Sequence, residues 1–319
     1  MIGRIMQSGI LNIDKPKGLT SHDVVDLIRR ATRQRQVGHA GTLDPIATGV
    51  LPLCLGNATK LSEFLTAEEK EYRLVCRFGL ETDTQDITGE VLKQVEGADP
   101  GLEQIEQALE NFRGEIQQIP PMVSAKRHQG KRLYDLARQG IEVEREPIQV
   151  RIHEIEILGY NAPDLEIRVL CSKGTYVRTL CHDIGRMLGC GAVMAGLVRT
   201  KCGDMKVEES VDVACLKDPA SVQQHLLSPD VVLVKFPAVV IQDMEIRSWM
   251  TGRSIRSGAI LSATSEYPRD AMLRIKSRDG RLVGLGKSLF DSSQIARLGG
   301  DLEVLKPVRV FPQPFAAKP

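Results

Sequence analysis

The segment GHAGTLDPIATGVLPLCLGNATK, residues 38–60, sets one acid, Asp44, among small, apolar and turn-forming residues. An Asp before Pro ordinarily starts a turn or caps a helix. Its company here points further. Gly38, Gly41 and Gly49 let the main chain take conformations closed to other residues and let a large ligand come close. Leu43, Ile46, Val50 and Leu51 keep the surroundings dry. A carboxylate in dry surroundings rises above its free-peptide pKa of about 3.9 unless a cation holds it ionised.

The best cation lies in CSKGTYVRTLCHDIGRMLG, residues 171–189. Val177, Leu180, Ile184 and Leu188 predict a helix beginning just after Gly174. Arg178 then falls in its first turns, where the helix dipole disfavours positive charge. An arginine there wants an acid or a phosphate; the plain alternative is an exposed side chain on a helix surface.

Working outward, ILNIDKPKGLTSHDVVDLIRRATRQRQ reads as a strand, a turn and a helix entered at Thr20 or Ser21, with Val24, Leu27, Ile28 and Ala31 as its buried face. Arg29, Arg30, Arg33 and Arg35 crowd its exit, as a solvated helix face or as phosphate contacts. EYRLVCRFG alternates as a half-buried strand, with Tyr72 on the side of Leu74, Cys76 and Phe78. PGLEQIEQALENF sets Leu102, Ile105, Leu109 and Phe112 on one helical stripe, and RIHEIEIL and LEIRVLC alternate again. Strands that recur in neighbouring runs, with helices between them irregularly, predict an α+β fold with a mixed, largely antiparallel sheet flanked by helices. Between them, Pro120 and Pro121 stop regular structure, and Lys126, Arg127, His128, Lys131 and Arg132 form a basic cluster beside the narrow stripe Leu133, Leu136 and Ala137. That insertion, about 120–145, reads as a protruding arm. A boundary is expected within residues 228–239, followed by a small β-rich domain in which MLRIKSRDGRLVGLGK forms a hairpin around Asp279 and Gly280.

A length of 319 residues suggests two domains. Forty-two Lys and Arg against 41 Asp and Glu exclude a global field that drives the chain onto polyanions or membranes, so such a partner must meet a local patch. Seven cysteines with no C-x-x-C pair fit a reducing compartment, and the N-terminus has no secretory pattern, so a soluble cytoplasmic protein is expected. GRLVGLGKS has Arg281 where a phosphate-binding loop needs glycine and lies in a hairpin strand. Cys171, Cys181, His182, Cys190 and Cys202 are spaced too widely for a zinc cluster. No metal or cofactor is expected.

Taken together, DKPKGLTS, GHAGTLDPIATGVLPLCLGNATK, the KEYR around Tyr72, SAKRHQGKRLYDLARQGIEV, and CSKGTYVRTLCHDIG followed by GCGAVMAGLVRT resemble the bacterial tRNA pseudouridine synthase B (TruB) family, in the family's order, from about residue 8 to 203. The resemblance implies the pseudouridine synthase fold over residues 1–235, with a thumb at 120–145, and isomerisation of uridine 55 in the tRNA T loop without cofactor or metal. It implies Asp44 as the catalytic carboxylate and Arg178 as its partner. Tyr72 becomes the aromatic that stacks on the target base and helps remove its C5 proton, and His39 the residue that fills the vacated stack. Leu197 lines the base pocket, with Lys15 and Tyr176 as neighbours. Lys126, Arg127, Lys131, Arg132, Arg29 and Arg33 become contacts to the tRNA T loop and stem. A PUA-like β-barrel for RNA binding is expected over 236–319, and a monomer as the working form. Two rivals stand beside this: a related synthase with another RNA target, and a non-catalytic tRNA-binding or tRNA-folding protein.

Overall fold

A computed structural model describes residues 8–315 apart from 125, 129, 138 and 296, with the side chains at 127, 128, 131, 132, 135 and 312–315 outside the description. Its centre is a ten-stranded mixed sheet. The strands are β1 (Gly9–Lys15), β2 (Val37–His39), β3 (Thr48–Leu55), β4 (Lys70–Phe78), β5 (Gly114–Gln118), β6 (Ile148–Asn161), β7 (Asp164–Cys171), β8 (Ala192–Cys202), β9 (Met205–Lys206) and β10 (Val211–Asp212). They lie in the order β10-β1-β3-β8-β4-β7-β6-β5, with β2 on β3 and β9 on β8. Two pairings along this path, β1 with β10 and β3 with β8, are parallel; the others are antiparallel.

The sequence patterns explain the layers. In β4, Lys70, Tyr72, Leu74, Cys76 and Phe78 point inward, as the alternation requires. The outward Arg73 and Arg77 pair with Glu166 and Asp164 across the β7 edge. The unbroken apolar run of β3 differs because that strand is covered on both faces. Leu51, Leu53 and Leu55 belong to the core cluster that also takes in the buried faces of the helices α1 (Ser21–Thr32), α2 (Leu102–Glu110) and α3 (Val177–Met187), whereas Val50 and Cys54 belong to a second cluster.

Helix α1 begins where expected. Thr20 accepts from the Asp23 amide at 3.0 Å while the Asp23 carboxylate accepts from the Thr20 amide at 2.8 Å, a reciprocal cap. Val24 and Ile28 are buried as read; Val25 joins them, with Leu27 and Ala31 only half-buried. Leu102 departs from the expected stripe. It is 46% exposed, because it is the first residue of α2 and its side chain leans back past the helix end, and Ala108 takes the buried place beside Ile105 and Leu109. Leu133 and Leu136 of the insertion are buried rather than merely an arm's thin stripe.

The tail forms a six-stranded sheet from β11 (Ala238–Ile241), β12 (Ile255–Arg256), β13 (Ile260–Ala263), β14 (Met272–Lys276), β15 (Leu282–Ser288) and β16 (Glu303–Phe315). Strands β14 and β15 form the expected hairpin, closed by Ser277 N–H donating to Arg281 O at 2.9 Å. GRLVGLGKS is therefore sheet, not a phosphate loop. Leu282, Leu285 and Phe311 of this sheet pack against Ile10, Cys54 and Leu61, so the two sheets share a core. No helix among the described residues is long and apolar enough to cross a membrane.

Candidate active site

Asp44 lies in the loop between β2 and β3. Its main chain does what an Asp before Pro ordinarily does: Asp44 O accepts from Ala47 N–H at 3.0 Å and closes a turn. Ser21, the first residue of α1, fixes the loop from below, donating to Leu43 O at 3.0 Å and accepting from Leu43 N–H at 2.8 Å. Gly41 and Gly49 take φ of +89° and +95°, the freedom the sequence called for; Gly38 does not, because it is an ordinary residue of β2.

The side chain of Asp44 turns away from that loop to Arg178. Arg178 Nε is 3.0 Å from Oδ2 and Nη2 is 3.4 Å from Oδ1, the side-on fork that matches a guanidinium to a carboxylate. The remaining donors are used as well. Nη2 donates to Val123 O at 2.7 Å and Nη1 to Thr84 O at 2.9 Å, with Asp86 Oδ2 at 3.7 Å from Nη1. Arg178 is 6% exposed, so its place in the first turn of α3 is tolerated through these partners rather than through water. Gln118 of β5 sets that helix start, exchanging hydrogen bonds with the N–H and C=O of Tyr176 at 2.9 and 3.2 Å.

Burial pushes the Asp44 carboxyl above its ordinary value, Arg178 pulls it back, and Asp86 adds to the rise. A third of the Asp44 side-chain surface remains open, and it opens into a pocket of about 230 Å³. Asp44, Tyr72, Tyr176, Arg178 and Leu197 all line it. The Tyr72 hydroxyl is pushed up to about 12, by burial first, with Arg199 opposing. Tyr72 and Leu197 reach one wall because β4 and β8 pair antiparallel with Leu74 opposite Leu197 and Tyr72 opposite Arg199, so these side chains share a face.

Other expected residues lie elsewhere. Lys15, at the end of β1, is fully buried and donates to Pro16 O and Leu19 O at 2.9 and 2.7 Å; burial brings its ammonium down to about 8, against the pull of Asp44. It backs Asp44 rather than lining the pocket. His39 is at the end of β2, opposite Leu53, outside the lining. Arg29 is taken up at the helix exit by Asp26, Arg35 O and Val37 O, while Arg33 is exposed and caps α1 at φ +53°. Lys126 is half-buried, and the side chains of Arg127, Lys131 and Arg132 lie outside the described residues.

The sequence reading passed over two buried cations that also line the pocket, Lys70 and Arg199. One signal was available for each. Lys70 has the inward parity of Tyr72 in β4, and Arg199 the inward parity of Leu197 in β8. Among the described residues no group of three or more His, Cys, Asp or Glu is placed to hold a metal ion. What the arrangement offers is one carboxylate held by an arginine, beside a buried tyrosine, in a pocket of about 230 Å³.

Comparison with known proteins gives this arrangement a lineage. A family model described as "TruB family pseudouridylate synthase (N terminal domain)" matches residues 29–177, and one for the "tRNA pseudouridylate synthase B C-terminal domain" matches 178–234. The tRNA pseudouridine synthase B of Clostridium tetani is 41% identical over 291 residues, covering 91% of this chain and 99% of that protein. The chain belongs to the tRNA pseudouridine synthase B family. A second member, from Alkaliphilus oremlandii, is 44% identical over 81% of this chain and 86% of its own. Among solved structures, a chain of an H/ACA RNP bound to a substrate RNA containing 2′-deoxyuridine has 26% identity and a TM-score of 0.73, with 95% of this chain and 84% of that one covered. The pseudouridine synthase fold is therefore that of this family member.

Proposed function

We propose that this chain isomerises uridine 55 in the T loop of tRNA to pseudouridine. The observation that carries the reading is Asp44, paired side-on with the buried Arg178 and opening into a pocket walled by Tyr72. The reaction breaks C1′–N1, turns the uracil, joins C1′ to C5 and releases the C5 proton while N1 regains one; nothing else is gained or lost. It needs an ionised group at the start and a proton acceptor at the end. Asp44, kept ionised by Arg178, supplies the first, and Tyr72 stacks on the ring and stands where the C5 proton must leave. Glycoside hydrolysis ordinarily uses a pair of carboxylates flanking the bond. Here Asp86, the second acid nearby, is 5% exposed and bound up with Thr84 and Thr88, which leaves Asp44 as the acid that lines the pocket among the described residues. The dry walls keep water from the detached sugar.

The target base must be turned out of a folded loop, at a few kcal/mol, offset by stacking and phosphate contacts. His39, on the rim strand, fills the vacated stack; Leu197 and Tyr176 hold the base edge; Lys15 supports the charge of Asp44. The exposed Arg33 and the basic insertion carrying Lys126, Arg127, Lys131 and Arg132 meet phosphates of the T stem and loop, with Arg29 shaping that surface. Residues 1–235 form the catalytic domain and 236–319 a PUA-like RNA-binding domain. The working form in this reading is a monomer, and seven free thiols support work in the cytoplasm.

A tRNA transcript tritiated at uracil C5 tests this, since only substitution at C5 frees the label. Wild type is expected to release it from one T-loop uridine, and Asp44→Asn to release none while keeping tRNA affinity within about threefold, as a charge removed from the reacting centre rather than from phosphate contacts. No release from wild type bound to tRNA would end the enzymatic reading and favour a binding or folding protein.

A further inference from the structure

Arg199 is 1% exposed, yet the hydrogen bonds its guanidinium makes among the described residues go to main-chain carbonyls rather than to an acid. Nε donates to Val50 O at 2.6 Å, Nη2 to Gly41 O at 3.0 Å and Nη1 to Thr42 O at 3.5 Å. A buried cation without a carboxylate partner is a costly thing to keep in a fold. These carbonyls belong to the two ends of the loop that carries Asp44: Gly41 and Thr42 before it, Val50 after it. The main chain of Arg199 is equally placed. It pairs in parallel with Gly49 and antiparallel with Tyr72, so the strand residue that holds the Asp44 loop is also the direct cross-strand neighbour of the pocket tyrosine. Both side chains line the pocket.

We infer that Arg199 is a positioning residue which ties the Asp44 loop to Tyr72 and so fixes the separation between the group acting at the sugar and the group acting at C5. The inference rests on the roles given to Asp44 and Tyr72 above. The base has to turn between breaking one bond and making the other, so both groups must wait in register while the ring moves; a side chain that bonds one and neighbours the other sets that register without touching the ring. Lysine cannot replace it, because one ammonium cannot span carbonyls at both ends of the loop together.

The test uses the full chain and the tritiated transcript, with wild type, Arg199→Met, Arg199→Lys and a core control, Ile10→Val, chosen because Ile10 packs in the shared core and does not line the pocket. Single-turnover release at saturating enzyme is expected to fall about 100-fold in Arg199→Met and at least about 10-fold in Arg199→Lys, the scale of a misplaced reacting group. The dissociation constant for tRNA should stay within about threefold, and Ile10→Val should keep a near wild-type rate whatever its melting temperature. A wild-type rate in Arg199→Lys, or a rate that falls only in step with tRNA affinity, overturns the inference. So does an equal loss in Ile10→Val. Should Arg199→Met fail to fold, Arg199→Lys decides alone. Wild type that releases no label defeats the proposed function instead, so the two failures are distinguishable.

Discussion

Asp44 is held between opposing pulls: burial and Asp86 favour its neutral form, and Arg178 favours the ion. Because the raising influence wins, the carboxyl titrates above its ordinary value, and the proposed reaction uses its ionised form. The sign follows directly. As pH falls through the raised value, the active ion is lost, so the single-turnover rate should drop about tenfold per pH unit on an acid limb above that of a free aspartate. Arg178→Met removes the pull toward the ion and leaves burial and Asp86, so its limb should shift toward neutrality. Rate measured against pH for both proteins checks this, and an unmoved limb would count against the pairing. The acid and its arginine were legible beforehand, since a lone carboxylate among apolar residues and a cation at a helix start each needed a partner. The carbonyls of Thr84 and Val123 that complete the arginine were not legible: 94 and 55 residues from it, they carry no sign in the sequence of where they fold.

At the scale of elements, the pocket depends on the junction of β3 and β8. Gly49, with φ +95°, lies against Arg199 so closely that an added Cβ would stand 2.3 Å from Arg199 O and 2.9 Å from its N. Neither atom can yield without separating the strands. Gly49→Ala should therefore cost roughly 3 kcal/mol, summing a left-handed backbone and a main-chain clash. Gly196→Ala in the same β8 is the contrast: its Cβ would meet Val75 at 3.7 Å, ordinary contact, and the change should stay below about 1 kcal/mol. Chemical denaturation of both variants measures the difference, and equal midpoints would refute the argument. Here alternation and helical spacing told the truth about β4 and α3 and about Val24 and Ile28 of α1, because each element buries one face. They misplaced Leu102, where a helix end left the stripe uncovered, and could not give strand order, which depends on pairings such as β3 with β8 that join distant segments.

At the scale of the whole molecule, the tail sheet shares a core with the larger sheet. Strand β3 is apolar on both faces, and β1 adds Ile10 on the second, because the helices cover one face and the tail sheet covers part of the other. Polar links accompany that contact: Asp230 pairs with Arg274 and Lys276, and Lys60 donates to Val310 O at 3.0 Å. Removing residues 236–319 would strip Leu282, Leu285 and Phe311 from Ile10, Cys54 and Leu61. Burial of a large apolar side chain contributes about 1.5–3 kcal/mol. Losing three from a stability of roughly 5–15 kcal/mol is a large share, before the uncovered partners are counted. A chain ending at residue 235 is thus expected to self-associate or melt well below the full protein, as light scattering and calorimetry would report. If it stays monomeric and melts at the full-length temperature, the shared core contributes little and the tail is an independent appendage. If it aggregates, tRNA binding by the tail cannot be assigned by deletion, and point substitutions on the tail's exposed basic side chains are required instead.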